Sequence, residues 1–109
     1  MTRESMDLVQ GTRDVLVVRA LDGTPQHGYA VSRWVRERTG GTIDIEDAPL
    51  YKALRRLEAG GWVSAKWGAS ENNRRARYYQ LTAKGRRRLD TEMSSWRRYA
   101  AAVFDVLKK

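Results

Sequence analysis

Between Asp7 and Leu21 the apolar residues Leu8, Val15, Leu16, Val18 and Leu21 are too widely spread for one stripe, which predicts a helix covered on two sides. "DGTPQHG" punctuates the chain with glycine and proline. A second helix follows, with Tyr29, Val31, Trp34 and Val35 on one flank and Arg33, Arg36, Glu37 and Arg38 carrying charge, and Gly40-Gly41 ends it. "TIDIED" alternates like a short extended piece, and Asp44 to Asp47 offer carboxylates to cap the helix that comes next. That third helix, about 47–59, places Leu50, Leu54 and Leu57 on one face, admits Pro49 in its first turn and stops at Gly60-Gly61.

The period then changes from helical to alternating. Val63, Ala65 and Trp67 alternate with Trp62, Ser64 and Lys66, and Tyr79 and Leu81 alternate with Tyr78 and Gln80. Two short aromatic strands joined by "ASENNRR" predict a hairpin with a polar, basic tip. Thr82 is placed to cap a final helix over 83–107. The order helix, helix, helix, hairpin, helix predicts a mainly α chain with a small β-hairpin. This is a winged helix-turn-helix over 7–82 followed by a helix over 83–107, together one compact unit.

The last helix holds the most regular repeat. Leu89, Met93, Trp96, Ala100, Val103 and Leu107 are spaced four, three, four, three, four, the 3.5-residue period of a coiled-coil seam. The seam predicts dimerisation through these residues, with Trp96 close to its mate across a two-fold axis. A pocket for a small planar aromatic effector beside Trp96 is the functional reading of that tryptophan, and interface core is the plain one.

Charge adds a partner. Lys and Arg number 21 against 13 Asp and Glu, giving a formal charge of +8 and a pI near 10.3. From Arg74 to Arg98 nine residues are basic and two, Asp90 and Glu92, are acidic. Such a run points to a polyanion, nucleic acid first. The 109 residues include no cysteine, so no disulfide or thiolate metal site is expected. No apolar run approaches the roughly 20 residues of a membrane span, and the N-terminal segment has no apolar stretch of the secretory kind, so a cytoplasmic, nucleoid-associated protein is the expectation.

Turning the leucines of the third helix inward directs Ala48, Lys52, Arg55 and Ala59 outward, with Tyr51 and Arg56 on the flanks. In a helix-turn-helix this helix enters the major groove. Tyr51, Lys52, Arg55 and Arg56 are then the candidate DNA contacts on the helix. Arg74, Arg75 and Arg77, at and beside a wing over about 68–77, are the candidates for the backbone or minor groove. The expected partner is a palindromic operator in double-stranded DNA, bound by a homodimer. A winged helix that meets RNA or an acidic protein is the alternative, kept open by Tyr78 and Tyr79 as stacking residues.

These same stretches carry a resemblance. "LYKALRRLEAGGWV" and "WGASENNRRARYYQLTAKGRRRL", preceded by "GTRDVLVVRAL" and "HGYAVSRWV", resemble the PadR family of bacterial transcriptional regulators over residues 8 to about 107. The resemblance implies a dimeric winged-helix repressor of the compact branch, with a single C-terminal dimerisation helix and Tyr51 at a DNA-contacting position. The chain departs from the family pattern at Ala48-Pro49, where a Gly-Ser or Gly-Thr dipeptide is usual, so one hydroxyl contact to phosphate is missing.

Catalysis finds little to work with. His27, the one histidine, sits at the start of the second helix and reads as a cap or packing residue. Ser94-Ser95 has no base at a recognisable spacing, and no second histidine or carboxylate cluster completes a metal or nucleophile site. Neither an enzyme nor a cofactor is expected. Trp34 and Trp62 read as packing residues at element edges, and Trp67 is expected to plug the space between wing and helix.

Overall fold

The computed structural model describes residues 10–69 and 72–109. The candidate core position Leu8 and the tip residues Ser70 and Glu71 lie outside the described residues. The elements run α1 (Gln10–Ala20), β1 (Gln26–His27), α2 (Gly28–Arg38), α3 (Asp47–Ala59), β2 (Val63–Ala69), β3 (Arg75–Leu81) and α4 (Ala83–Leu107). The expected hairpin is present, and it is joined by a third strand: β1 pairs antiparallel with β3, giving the order β1-β3-β2. Two residues carry no readable alternation, so that pairing is set by tertiary contact.

Valines, leucines and isoleucine from α1, α2, α3 and the α2–α3 connection close one core, with Val17, Val31, Leu50, Leu54 and Leu57 fully buried. Val63 and Tyr79 extend it under the sheet and Leu89 brings in the first turns of α4. Tyr79 therefore takes the inward place between the two adjacent tyrosines. The "TIDIED" piece does not pair as a strand, although Ile45 within it is buried. Thr39 holds its start instead, accepting from the Ile43 N–H at 3.0 Å and donating to the Val35 carbonyl at 2.9 Å. At α3 the N-cap position falls to Glu46, whose side chain makes no capping bond, and Asp47 in the first turn supplies only the charge favourable to the helix dipole.

The wing meets α4 through a tight corner. Thr82 caps α4 by accepting from the Gly85 N–H at 3.0 Å and donates to the Gly61 carbonyl at 2.7 Å. The first turn of α4 lies so close to the strand start that a Cβ on Gly85 would overlap the Trp62 carbonyl oxygen. Because backbone stands on both sides, no flexible side chain can yield. Gly85→Ala is therefore expected to destabilise the chain by about 1–3 kcal/mol or more. Thermal unfolding of the two proteins checks this, and an unchanged melting temperature would refute the contact.

Beyond this corner α4 outruns its own domain. The longest dimension is 53 Å and the radius of gyration 15.0 Å, against roughly 13 Å for a compact chain of this length. Leu89 is buried and Met93 packs on the core, but Trp96, Tyr99, Val103, Phe104, Val106 and Leu107 are all exposed. The helical seam thus divides: Leu89 and Met93 serve the chain's own core, while Trp96, Val103 and Leu107 are left largely exposed. No helix among the described residues is long and apolar enough to cross a membrane.

Candidate nucleic-acid interface

α3 is positioned by its leucines and by α2. Tyr51 leans against the start of α2, where Gly28 leaves room for its ring: a Cβ there would come within 2.5 Å of the Tyr51 hydroxyl. Half-buried in this way, the phenol is pushed above its ordinary pKa by burial first, then by Tyr79 and by the Asp47 carboxylate. It is held neutral, able to donate a hydrogen bond. His27 caps α2, its Nδ1 accepting from the Ala30 N–H at 3.2 Å, so the lone histidine is a structural cap.

Ala48, Lys52, Arg55 and Ala59 face solvent on α3, as the leucine spacing requires. Among the described residues no carboxylate pairs with Lys52, Arg55 or Arg75. Arg56 differs. Its guanidinium is ion-paired with Asp14 of α1, which is only 5% exposed and also lies 3.9 Å from Arg88 of α4. One buried carboxylate thereby ties α1, α3 and α4 together. Arg77 is likewise held, donating to Glu58 of α3 at 2.7 Å, and this pair fixes the wing against the recognition helix. Arg74 and Arg75 are exposed on the wing.

The basic run toward the C-terminus is partly mortar. Arg86 reaches Asp22 at 2.8 Å, Arg88 reaches Glu92 at 3.2 Å, and Lys84 donates to the Gly60 carbonyl at 2.8 Å. Trp62 lies under both Lys84 and Arg88, and Trp34 under Arg19 and Arg38, so these two tryptophans do pack at element edges.

Trp67 departs from expectation. It lies on the side of the hairpin that faces the helices, yet it is 57% exposed and plugs nothing. The strands run past the helical core before the indole can be covered. An open cleft of about 280 Å³ remains there, lined by His27, Tyr29, Tyr51, Trp67, Arg75 and Arg77 among others. Arg75 stands over the Trp67 ring at 4.7 Å and Arg33 over the Tyr29 ring at 5.4 Å. Neither Tyr29, Arg33 nor Trp67 was a site residue on sequence grounds. The alternation of β2 gives the face of Trp67, but not that this face ends in an open cleft bordered by α2.

A second cleft, of about 260 Å³ and nearly all apolar, lies between α1 and α4 beside Trp96, Met93, Val15, Leu16 and Ile43. The Trp96 Nε1–H donates to the Thr12 hydroxyl at 3.2 Å, and Tyr99 stacks edge-on to the indole. Among the described residues no group of three or more metal-ligating side chains comes together.

Known proteins share this fold. A structure of a transcriptional regulator from Clostridium thermocellum is 25% identical and superimposes with a TM-score of 0.83, covering 94% of this chain and all of that one. A PadR family transcription regulator from Clostridium difficile is 26% identical (TM-score 0.76, 88% of this chain and 98% of that one). A PadR family transcriptional regulator from Eggerthella lenta is 29% identical (TM-score 0.76, 92% of this chain and 85% of that one). Protein X of Lysinibacillus sphaericus is 27% identical over 90 residues, 83% of each chain. A 37.1 kDa protein in a Streptomyces fradiae transposon is 35% identical over 91 residues, which span a quarter of its length. The family model described as the transcriptional regulator PadR-like family matches residues 17–91. The chain belongs to the PadR-like family of transcriptional regulators: it is a winged-helix DNA-binding regulator with a C-terminal helix.

Proposed function

We propose that the protein is a homodimeric repressor that binds a palindromic operator, with α3 in the major groove and the wing on the backbone or in the minor groove. The observation that carries this reading is the outward face of α3, where small Ala48 permits close approach and Lys52 and Arg55 stand without carboxylate partners among the described residues. Tyr51, neutral and beside the wing cleft, is placed to donate to a phosphate oxygen. Arg74 and Arg75 serve the backbone. Arg56 and Arg77, bound to Asp14 and Glu58, act in this reading by orienting α3 and the wing.

Residues 7–82 form the DNA-binding part and 83–107 the dimerisation helix, where Trp96, Ala100, Val103 and Leu107 meet their mates and Leu89 and Met93 support the seam from inside each subunit. The apolar cleft beside Trp96 then lies at the subunit boundary, where a small planar aromatic effector would stack on the indole. Such a protein works on the nucleoid.

Mutants separate the two DNA-facing elements. Against a palindrome from the DNA flanking the protein's own gene, Lys52→Ala or Arg55→Ala should lose about 1–3 kcal/mol at a contacted base pair and relax discrimination among sequences. Arg75→Ala should weaken all duplexes about equally and reduce the salt slope by about one. Titrations of matched and scrambled duplexes check this. If both classes of mutant behave alike, base reading does not belong to α3.

A further inference from the structure

We infer that the cleft between the wing and the start of α2 is a phosphodiester subsite, built around arginines that aromatic rings hold in place: Arg75 on Trp67 within its lining, and Arg33 on the Tyr29 that borders it on the α2 side. The inference rests on the duplex-binding reading above and adds Trp67, Tyr29 and Arg33 to it.

The strand register makes the first pair. Trp67 is opposite Arg77 and Ala69 opposite Arg75, so Trp67 and Arg75 are diagonal neighbours on one face of the hairpin. Nearer the base of the hairpin, the same face contributes Val63 and Tyr79 to the core. Farther out it has passed the core, and Trp67 is left 57% exposed. Across the cleft Tyr29 is 55% exposed beneath Arg33. Two large aromatic side chains left in water at one opening, each under an arginine, are more than a scaffold requires. A guanidinium laid flat on a ring loses rotamer freedom before any ligand arrives and still presents its N–H edge to an anion.

The chemistry of the cleft selects an anion. Among the described residues lining it there is no carboxylate, Arg75 and the Tyr51 hydroxyl are present, and the one other guanidinium in the lining, Arg77, is already paired with Glu58. Its position selects duplex backbone. Tyr51 belongs both to α3 and to the cleft, so a strand bordering the groove that α3 enters would run its phosphates through this opening. Trp67 and Tyr29 act as positioning residues, through the arginines they carry.

The test is a set of fluorescence-anisotropy titrations of the full chain with a fluorescein-labelled, mixed-sequence duplex, over a range of salt. Trp67→Ala and Tyr29→Ala should each weaken binding roughly two- to fivefold, with unchanged melting temperatures because both rings are exposed. Trp67→Phe should recover most of the loss, since a phenyl ring also carries a guanidinium. Trp67→Ala combined with Arg75→Ala should cost less than the sum of the two, a coupling that a general structural role would not produce. If the wild type binds the duplex and Trp67→Ala binds it equally well, the subsite is wrong and the regulator reading stands. Strictly additive losses also reject the bracing role. Tighter binding of the wild type to the single strand than to the duplex overturns the duplex backbone as occupant. A wild type that binds no duplex at all removes the DNA reading and the subsite together.

Discussion

Val103→Asp is expected to turn the proposed dimer into a folded monomer and to lower operator affinity roughly a hundred- to ten-thousandfold, the range lost when two linked binding events become single ones. The position is chosen by exposure. Within its own chain Val103 is 37% exposed, and its neighbours Phe104 and Val106 are 69% and 83% exposed. Among the described residues no contact with the core holds this end of α4. A helix end rich in apolar residues that lie off the core is marginal in water, and a symmetry mate is the economical cover for it. In that setting the carboxylate introduced into each subunit would be enclosed without a partner, at a cost of several kcal/mol per charge. The monomer itself should lose little stability, because nothing of its core is touched. Met93→Asp would be a poorer probe, since Met93 also packs on the core of its own subunit and the variant could unfold for that reason. Sedimentation equilibrium, circular dichroism and operator titration on one sample decide the matter. A Val103→Asp protein that remains dimeric with normal DNA affinity would refute the seam.

The division of α4 shows where sequence reading stops. The repeat from Leu89 to Leu107 was legible in full, and so was the single helix that carries it. Which part of the repeat faces the chain's own core was not legible, because the 3.5 and 3.6 periods drift apart by only about 20° per heptad. Leu89 and Met93 satisfy both.

The outward face of α3 was legible for a simpler reason: three leucines at helical spacing leave a single orientation for the rest. The fates of the arginines were hidden. Arg56 meets a carboxylate 42 residues away in sequence and Arg86 one 64 residues away, and no local pattern announces such pairs. Trp67 shows a third limit. Alternation told which way its side chain points, but not how far the hairpin projects beyond the helices.

Those hidden pairs set the size of the salt effect. Duplex affinity should fall roughly a thousandfold between 50 and 200 mM salt, the value for about six phosphate contacts per dimer at a log–log slope near −0.9 per contact. The number of basic residues alone would suggest a steeper fall, since the chain carries 21 Lys and Arg. Several arginines near the DNA-facing side and on α4 are already engaged within the molecule: Arg56 on Asp14, Arg77 on Glu58, Arg86 on Asp22 and Arg88 on Glu92. These residues release few counterions on binding, because carboxylates have already displaced them. About three cations per subunit, Lys52, Arg55 and Arg75, remain without a carboxylate partner among the described residues to neutralise phosphate. Titrations at four or more salt concentrations give the slope directly. A flat profile, or equal affinity for single-stranded RNA, would remove the duplex reading. A slope near twice the expected value would mean instead that the intramolecular pairs open on DNA, and Glu58→Gln, which frees Arg77 beforehand, should then leave that steep slope unchanged while raising affinity at low salt.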